Sequence, residues 1–105
     1  MTASGVFLVT RTRGPRWDDA QPLEGQADWS GHATFMNALA REGFVVLGGP
    51  IADTRDVMLV IRARDAAEIE RRLAEDPWTG MDLLRITSIR AWTLRLGSLP
   101  VKGTP

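Results

Sequence analysis

The amino-acid sequence predicts one α+β domain with the element order strand–helix–strand–strand–helix–strand. Three observations predict it. Four runs rich in β-branched, aliphatic and aromatic residues begin near positions 6, 44, 57 and 86, the composition of strands. Between the first and second runs, and again between the third and fourth, apolar residues recur every three and four positions, the spacing of a helix with one buried face. Finally, the chain has 105 residues, 44% hydrophobic and 25% charged, enough for one core and too apolar for a disordered chain.

Val6 to Thr10 reads as the first strand, followed by a polar stretch from Thr12 to Gln26 that holds Pro15, Pro22, Gly14 and Gly25. A loop of that length in so small a domain is either functional or mobile. The first helix runs from about Asp28 to Glu42, with Asp28 or Ser30 as N-cap and Gly43 as its left-handed stop. Its stripe is Trp29, His32, Ala33, Met36, Leu39 and Ala40, widened by Phe35. Phe44 to Leu47 reads as the second strand, ended by Gly48, Gly49 and Pro50, and Val57 to Ile61 as the third. Asp65 opens the second helix with Glu68 completing a capping box. That helix carries Ala66, Ile69, Leu73 and Asp76 on one face and is closed by Pro77, because a residue before proline is pushed out of helical geometry. After a short link from Trp78 to Asp82, Ile86 to Leu96 reads as the fourth strand. Residues 1–97 form the domain and 98–105 a flexible tail.

This order is that of the ferredoxin-like sandwich, two helices on one face of a four-stranded antiparallel sheet. Such a sheet alternates apolar and polar residues when its other face meets water. The second and third strands do not alternate, so the bare face is expected to be an apolar patch of several hundred Å², more than monomers expose. Burying it contributes on the order of 10 kcal/mol before association costs, at roughly 25 cal/mol per Å². A homodimer, sheet against sheet as in a dimeric α/β barrel, is the simplest cover; the long loop folding over the face is the alternative.

Charge narrows the partners. Thirteen basic and thirteen acidic residues cancel, which gives no electrostatic reason to expect nucleic acid or an anionic membrane. The absence of cysteine excludes disulfides, zinc–thiolate sites and a thiol nucleophile. No apolar run approaches a membrane span and the N-terminus lacks a secretory pattern, so the expected location is the cytoplasm.

Topology places several polar groups at one end of the fold: Arg11 and Arg13, His32, Gly48 to Pro50, Asp76 and Trp78. His32 is the single histidine and lies on an apolar stripe, where a satisfied core residue is the plain reading. Asp76 changes that balance. On a buried stripe at the C-terminal end of a helix, a carboxylate is badly placed for solvation and for the helix dipole, and needs a partner. Either it meets His32, or it caps the amides of the turn that follows. A His–Asp pair beside an apolar pocket suits general acid–base chemistry. Ser30 and Ser88 are in no nucleophile setting, and no metal-ligand or cofactor spacing is present. Trp29 and Trp78 either wall a pocket for a planar ligand or serve packing. Arg11 is the best candidate for holding an anionic group, with Arg13 and Arg16 more at home on a solvated loop. Gly49, within Gly48 to Pro50, lets the backbone approach a ligand closely; the segment leads into a hairpin and is no dinucleotide fingerprint.

His32 followed by Phe35, Met36 and Leu39, then Gly43, then Leu47 to Ile51, then Asp76, Pro77 and Trp78, with Arg90, Ala91 and Trp92 at the close, resembles the YCII-related (YciI-like) family of small dimeric α/β-barrel proteins. The resemblance runs from the first strand to the last. It implies the ferredoxin-like fold, a dimer with facing sheets, and an active site whose histidine and aspartate fall on His32 and Asp76. One relative is similar to a dehydrochlorinase of aromatic degradation, and muconolactone isomerases share the dimeric barrel. The expected function is therefore cofactor-free acid–base chemistry, of a lyase, isomerase or dehydrochlorinase kind, on a small cyclic or aromatic molecule. The alternative is a domain that binds a small ligand, or serves a larger assembly, without turnover.

Overall fold

Alternating side chains decide how the four strands assemble. The computed structural model describes residues 4–99 and contains strands β1 (Gly5–Arg13), β2 (Val45–Pro50), β3 (Asp56–Ala63) and β4 (Leu84–Ala91). They form one antiparallel sheet in the order β2-β3-β1-β4. Helices α1 (Trp29–Arg41) and α2 (Ala66–Leu73) lie on one face of it, and a short third helix, α3 (Pro77–Gly80), follows α2. The architecture is α+β and compatible with the ferredoxin-like order, with one more helix than the two expected.

The core forms where the inward faces meet. Val9, Leu59, Ile61 and Ala63 from the sheet pack against Leu39 of α1 and Ile69 and Leu73 of α2, with Phe44 beside them. Asp28 caps α1 by accepting from the Gly31 amide, and Gly43 at φ 83° turns the chain out of it. Asp65 caps α2 by accepting from the Glu68 amide, while Glu68 accepts from the Arg64 amide.

Two bulges set which residues face where. In β2 the register slips between Val45 and Leu47, so Val46 is the extra residue. Val45 stays under the helices, Gly48 and Pro50 share its face, and Leu47 turns outward and is 59% exposed. The unbroken apolar run of this strand is explained by that slip, because consecutive apolar residues serve opposite faces. In β4 the slip falls beside Thr10 and Arg11, with Thr87 as the extra residue. It returns Ile86 and Leu84 to the helix-covered face already occupied by Ile89, a spacing no regular strand allows.

The uncovered face is only partly apolar. Leu47, Val60 and Leu8 are cross-strand neighbours and make an apolar row over three strands. Around it stand Thr10 and Met58, the pair Thr12 and Asp56, and Arg62, Ser88 and Arg90.

Several boundaries differ from those read in the sequence. β1 runs on to Arg13 because Thr12 pairs with both Asp56 and Arg85, and Arg13 pairs with Leu84 while its amide donates to the Arg55 carbonyl. β2 continues through the two glycines to Pro50, and β4 spans Leu84–Ala91, without the stretch to Leu96. α2 stops at Leu73, a turn earlier than expected. The segment after β1 is neither open nor loose. Buried Gln26 donates from Nε2 to the carbonyls of Asp18, Gln21 and Pro22 and accepts from the Asp18 amide, which folds the loop around a 3-10 turn at Leu23–Gly25. Of the tail read from residue 98, Ser98 and Leu99 have no regular structure, and residues 100–105 lie outside the described residues.

Candidate active site

The site begins at the break between α2 and α3. Pro77 cannot continue α2, and it is well suited to the first position of a new helix. Asp76 is thereby the N-cap of α3, and its Oδ1 accepts from the Trp78 amide at 2.9 Å. This corrects its expected position at a helix C-terminus: the carboxylate sits at the favourable end of a helix dipole. Both alternatives raised for Asp76 hold together, since it also meets His32. Nδ1 of His32 lies 3.0 and 2.9 Å from the two carboxylate oxygens.

A third partner comes from the sheet. Arg11, on the helix-covered side of β1, donates from Nη1 to Asp76 Oδ2 at 2.8 Å, and both residues are 1% exposed. Its Nη2 donates to Thr79 Oγ1 at 2.9 Å, and that hydroxyl donates to the Leu73 carbonyl at 2.7 Å. The guanidinium is thus tied to the corner between α2 and α3. Burial works to raise the Asp76 pKa, but the hydrogen bonds from His32, Arg11 and the Trp78 amide outweigh it and hold the carboxyl below its ordinary 3.8.

These contacts fix the chemistry of the imidazole. An ionised carboxylate only accepts hydrogen bonds, so Nδ1 carries the proton and Nε2 of the neutral ring holds the free lone pair. Nε2 makes no hydrogen bond among the described residues. The ring lies flat on fully buried Trp78, centroids 3.7 Å apart at 6°. Trp78 is held in turn by its Nε1, which donates to the Ala27 carbonyl at 2.6 Å, and by Trp17, edge-on at 5.4 Å. The imidazole is therefore clamped on two sides, by a carboxylate at one ring nitrogen and an indole across one face.

A cavity of about 180 Å³ opens beside it. His32, Trp29, Trp78, Arg11 and Gly49 all line it, as does Arg13. Trp17 and Leu23 close another side; both come from the loop after β1 and neither was expected here. A tryptophan inside a polar, proline-containing stretch is the only signal the sequence offered for Trp17. Arg16 does not line the cavity; its backbone amide donates to the Asp82 carbonyl.

Gly48 does more than Gly49 to shape this space. A Cβ on Gly48 would overlap Leu59 Cδ2 and approach the Met58 carbonyl oxygen at 3.0 Å, whereas one on Gly49 would meet nothing within 4 Å. The register explains the difference: Gly48 is paired with Leu59 on the cavity side, and Gly49 with Met58 on the uncovered side.

Neither serine considered as a nucleophile lines the cavity. The described residues contain no group of three or more His, Cys, Asp or Glu that could hold a metal ion, and no helix long and apolar enough to cross a membrane. No protein-family model matches the chain, and no curated protein matches it significantly.

Proposed function

We propose that this protein is a cofactor-free enzyme that moves protons on a small ring-shaped molecule, with His32 as general base or acid and Asp76 as the group that orients it. The observation that carries the reading is Nδ1 of His32 at 2.9–3.0 Å from a buried carboxylate while the same ring lines an apolar cavity. Asp76 fixes the tautomer, leaves Nε2 free for a substrate proton, and stabilises the imidazolium formed when that proton is taken. Trp29 is the part-exposed aromatic wall suited to a planar ligand, with buried Trp17 and Trp78 behind the lining. The volume fits a ligand of about one ring, since an apolar cavity of roughly 150 Å³ is known to accept benzene.

Isomerisation and elimination of a leaving group such as chloride both begin with removal of a proton from carbon, which places the reading within the activities implied by the resemblance to the YCII-related family. The reading includes a homodimer in the cytoplasm, built sheet against sheet over the row Leu47, Val60 and Leu8. Exposed Leu47 supports it, because a second copy would remove that side chain from water.

Proton transfer can be tested without knowing the product. A panel of unsaturated lactones and chlorinated cyclic acids is incubated with the protein in deuterated water, and deuterium uptake is followed by mass spectrometry. Uptake by at least one compound is expected with the native protein, falling by a factor of about 10² or more in His32→Ala. Equal uptake with the variant removes His32 from the mechanism. Binding without any uptake, retained in His32→Gln, would instead favour a ligand-binding domain.

A further inference from the structure

Charge around the cavity is one-sided. Its lining contains Arg11, Arg13 and His32, and no aspartate or glutamate among the described residues. Asp76 stands behind the wall and compensates Arg11. Arg13 has no acidic partner among the described residues; its guanidinium lies over the Trp17 ring, 4.5 Å from the centroid. A guanidinium stacked this way keeps its N–H edge free for an acceptor.

Arg11 provides the second, independent observation. Two of its nitrogens are satisfied, but Nε is the one buried side-chain nitrogen or oxygen among the described residues without a hydrogen-bond partner. A buried guanidinium with one N–H unpaired is only partly satisfied by Asp76 and Thr79, so the wall that it forms stays electropositive. The two arginines are two residues apart on β1, so they project from one face about 7 Å apart along the strand.

From these features we infer that the ligand is a small organic acid, a single carboxylate on a ring-sized apolar body, with the carboxylate held by the Arg13 guanidinium and the positive charge of Arg11 in the wall beside it. The inference rests on the reading of this cavity as the ligand site, and it narrows the substrate class from ring-shaped molecules to ring-shaped acids. The mostly apolar walls lower the local dielectric and strengthen the attraction between the guanidinium groups and an anion.

Benzoate and benzamide share a shape and differ in charge, and calorimetric titration of the intact protein with each provides the test. Benzoate is expected to bind about tenfold tighter than benzamide. Arg13→Gln should bring the two within about twofold by weakening benzoate alone, and Arg13→Lys should keep most of the preference because it keeps the charge. Arg13 is half-buried and outside the Asp76 network, so these variants spare the network, as an Arg11 variant would not.

Equal affinity of the native protein for both compounds overturns the inference. So does a benzoate preference that survives in Arg13→Gln, or failure of benzoate to bind. Benzoate selectivity without deuterium uptake by any compound would sink the catalytic reading and leave the acid-binding one standing. Uptake confined to uncharged lactones would do the reverse.

Discussion

Asp76 holds three partners at once, so its removal has consequences beyond one bond. In Asp76→Asn the Arg11 guanidinium remains buried without a counter-charge, which should cost about 3–5 kcal/mol of stability, read as a lower urea midpoint. The variant also frees the tautomer of His32, so any turnover should fall together with stability. A pH series separates the contributions. Because the folded carboxyl titrates below its ordinary 3.8, Asp76 adds stability that is fully present above that value. That stability is lost as pH falls from about 3.8 through the lower folded-state pKa. Denaturation midpoints measured from pH 6 downward should therefore drop more steeply for the native protein than for Asp76→Asn. Parallel curves would mean that Asp76 does not carry the acid limb.

Single residues were also where the sequence was most informative about the site. His32 and Asp76 stood out because each was a polar group on an apolar stripe, a local contradiction that only a partner resolves. Arg11 was legible as a candidate anion holder, but its bond to Asp76 was not, because nothing in a strand's alternation says which cation a distant carboxylate will meet.

At the scale of elements, periodicity carried strands and helices well, and the misreadings have physical causes. β2 and β4 each contain a bulge, which breaks the alternation used to read a strand. Asp76 and Pro77 satisfy the end of one helix and the start of the next equally well, so α3 was invisible. The loop after β1 was the largest gap. Much of its internal order comes from Gln26, whose bonds go to three carbonyls and an amide within the loop and leave no periodic trace. Gln26→Ala should cost about 1–3 kcal/mol by stripping those buried groups of their partner. It should also raise amide exchange across residues 18–26, while exchange in β1 and β3 stays slow. Unchanged exchange in that stretch would mean that Trp17 and Leu23, not Gln26, anchor the loop.

For the whole molecule, the uncovered sheet face bears on assembly. Its apolar row is flanked by charged and hydroxyl side chains, so it is less uniformly apolar than the run of residues in β2 and β3 implied. The proposed dimer predicts sedimentation at twice the mass of the chain. Leu47→Glu is the informative variant, because this side chain already stands 59% exposed and its replacement leaves the core untouched. A shift to the single-chain mass with an unchanged far-ultraviolet spectrum is expected. Single-chain sedimentation of the native protein at micromolar concentration would remove the dimer from the proposal, though the cavity, built within one chain, would remain.

The flat stacking of His32 on Trp78 has a further, practical outcome. An indole held parallel at 3.7 Å places the imidazole protons inside the shielding cone of its ring current, so their magnetic resonances move upfield of those in a free peptide. The chain has a single histidine, so in protein labelled selectively at histidine those signals belong to one residue. A one-dimensional spectrum recorded in heavy water therefore reports directly on the group proposed to do the chemistry, and any compound that enters the cavity and tilts that ring announces itself by moving two lines.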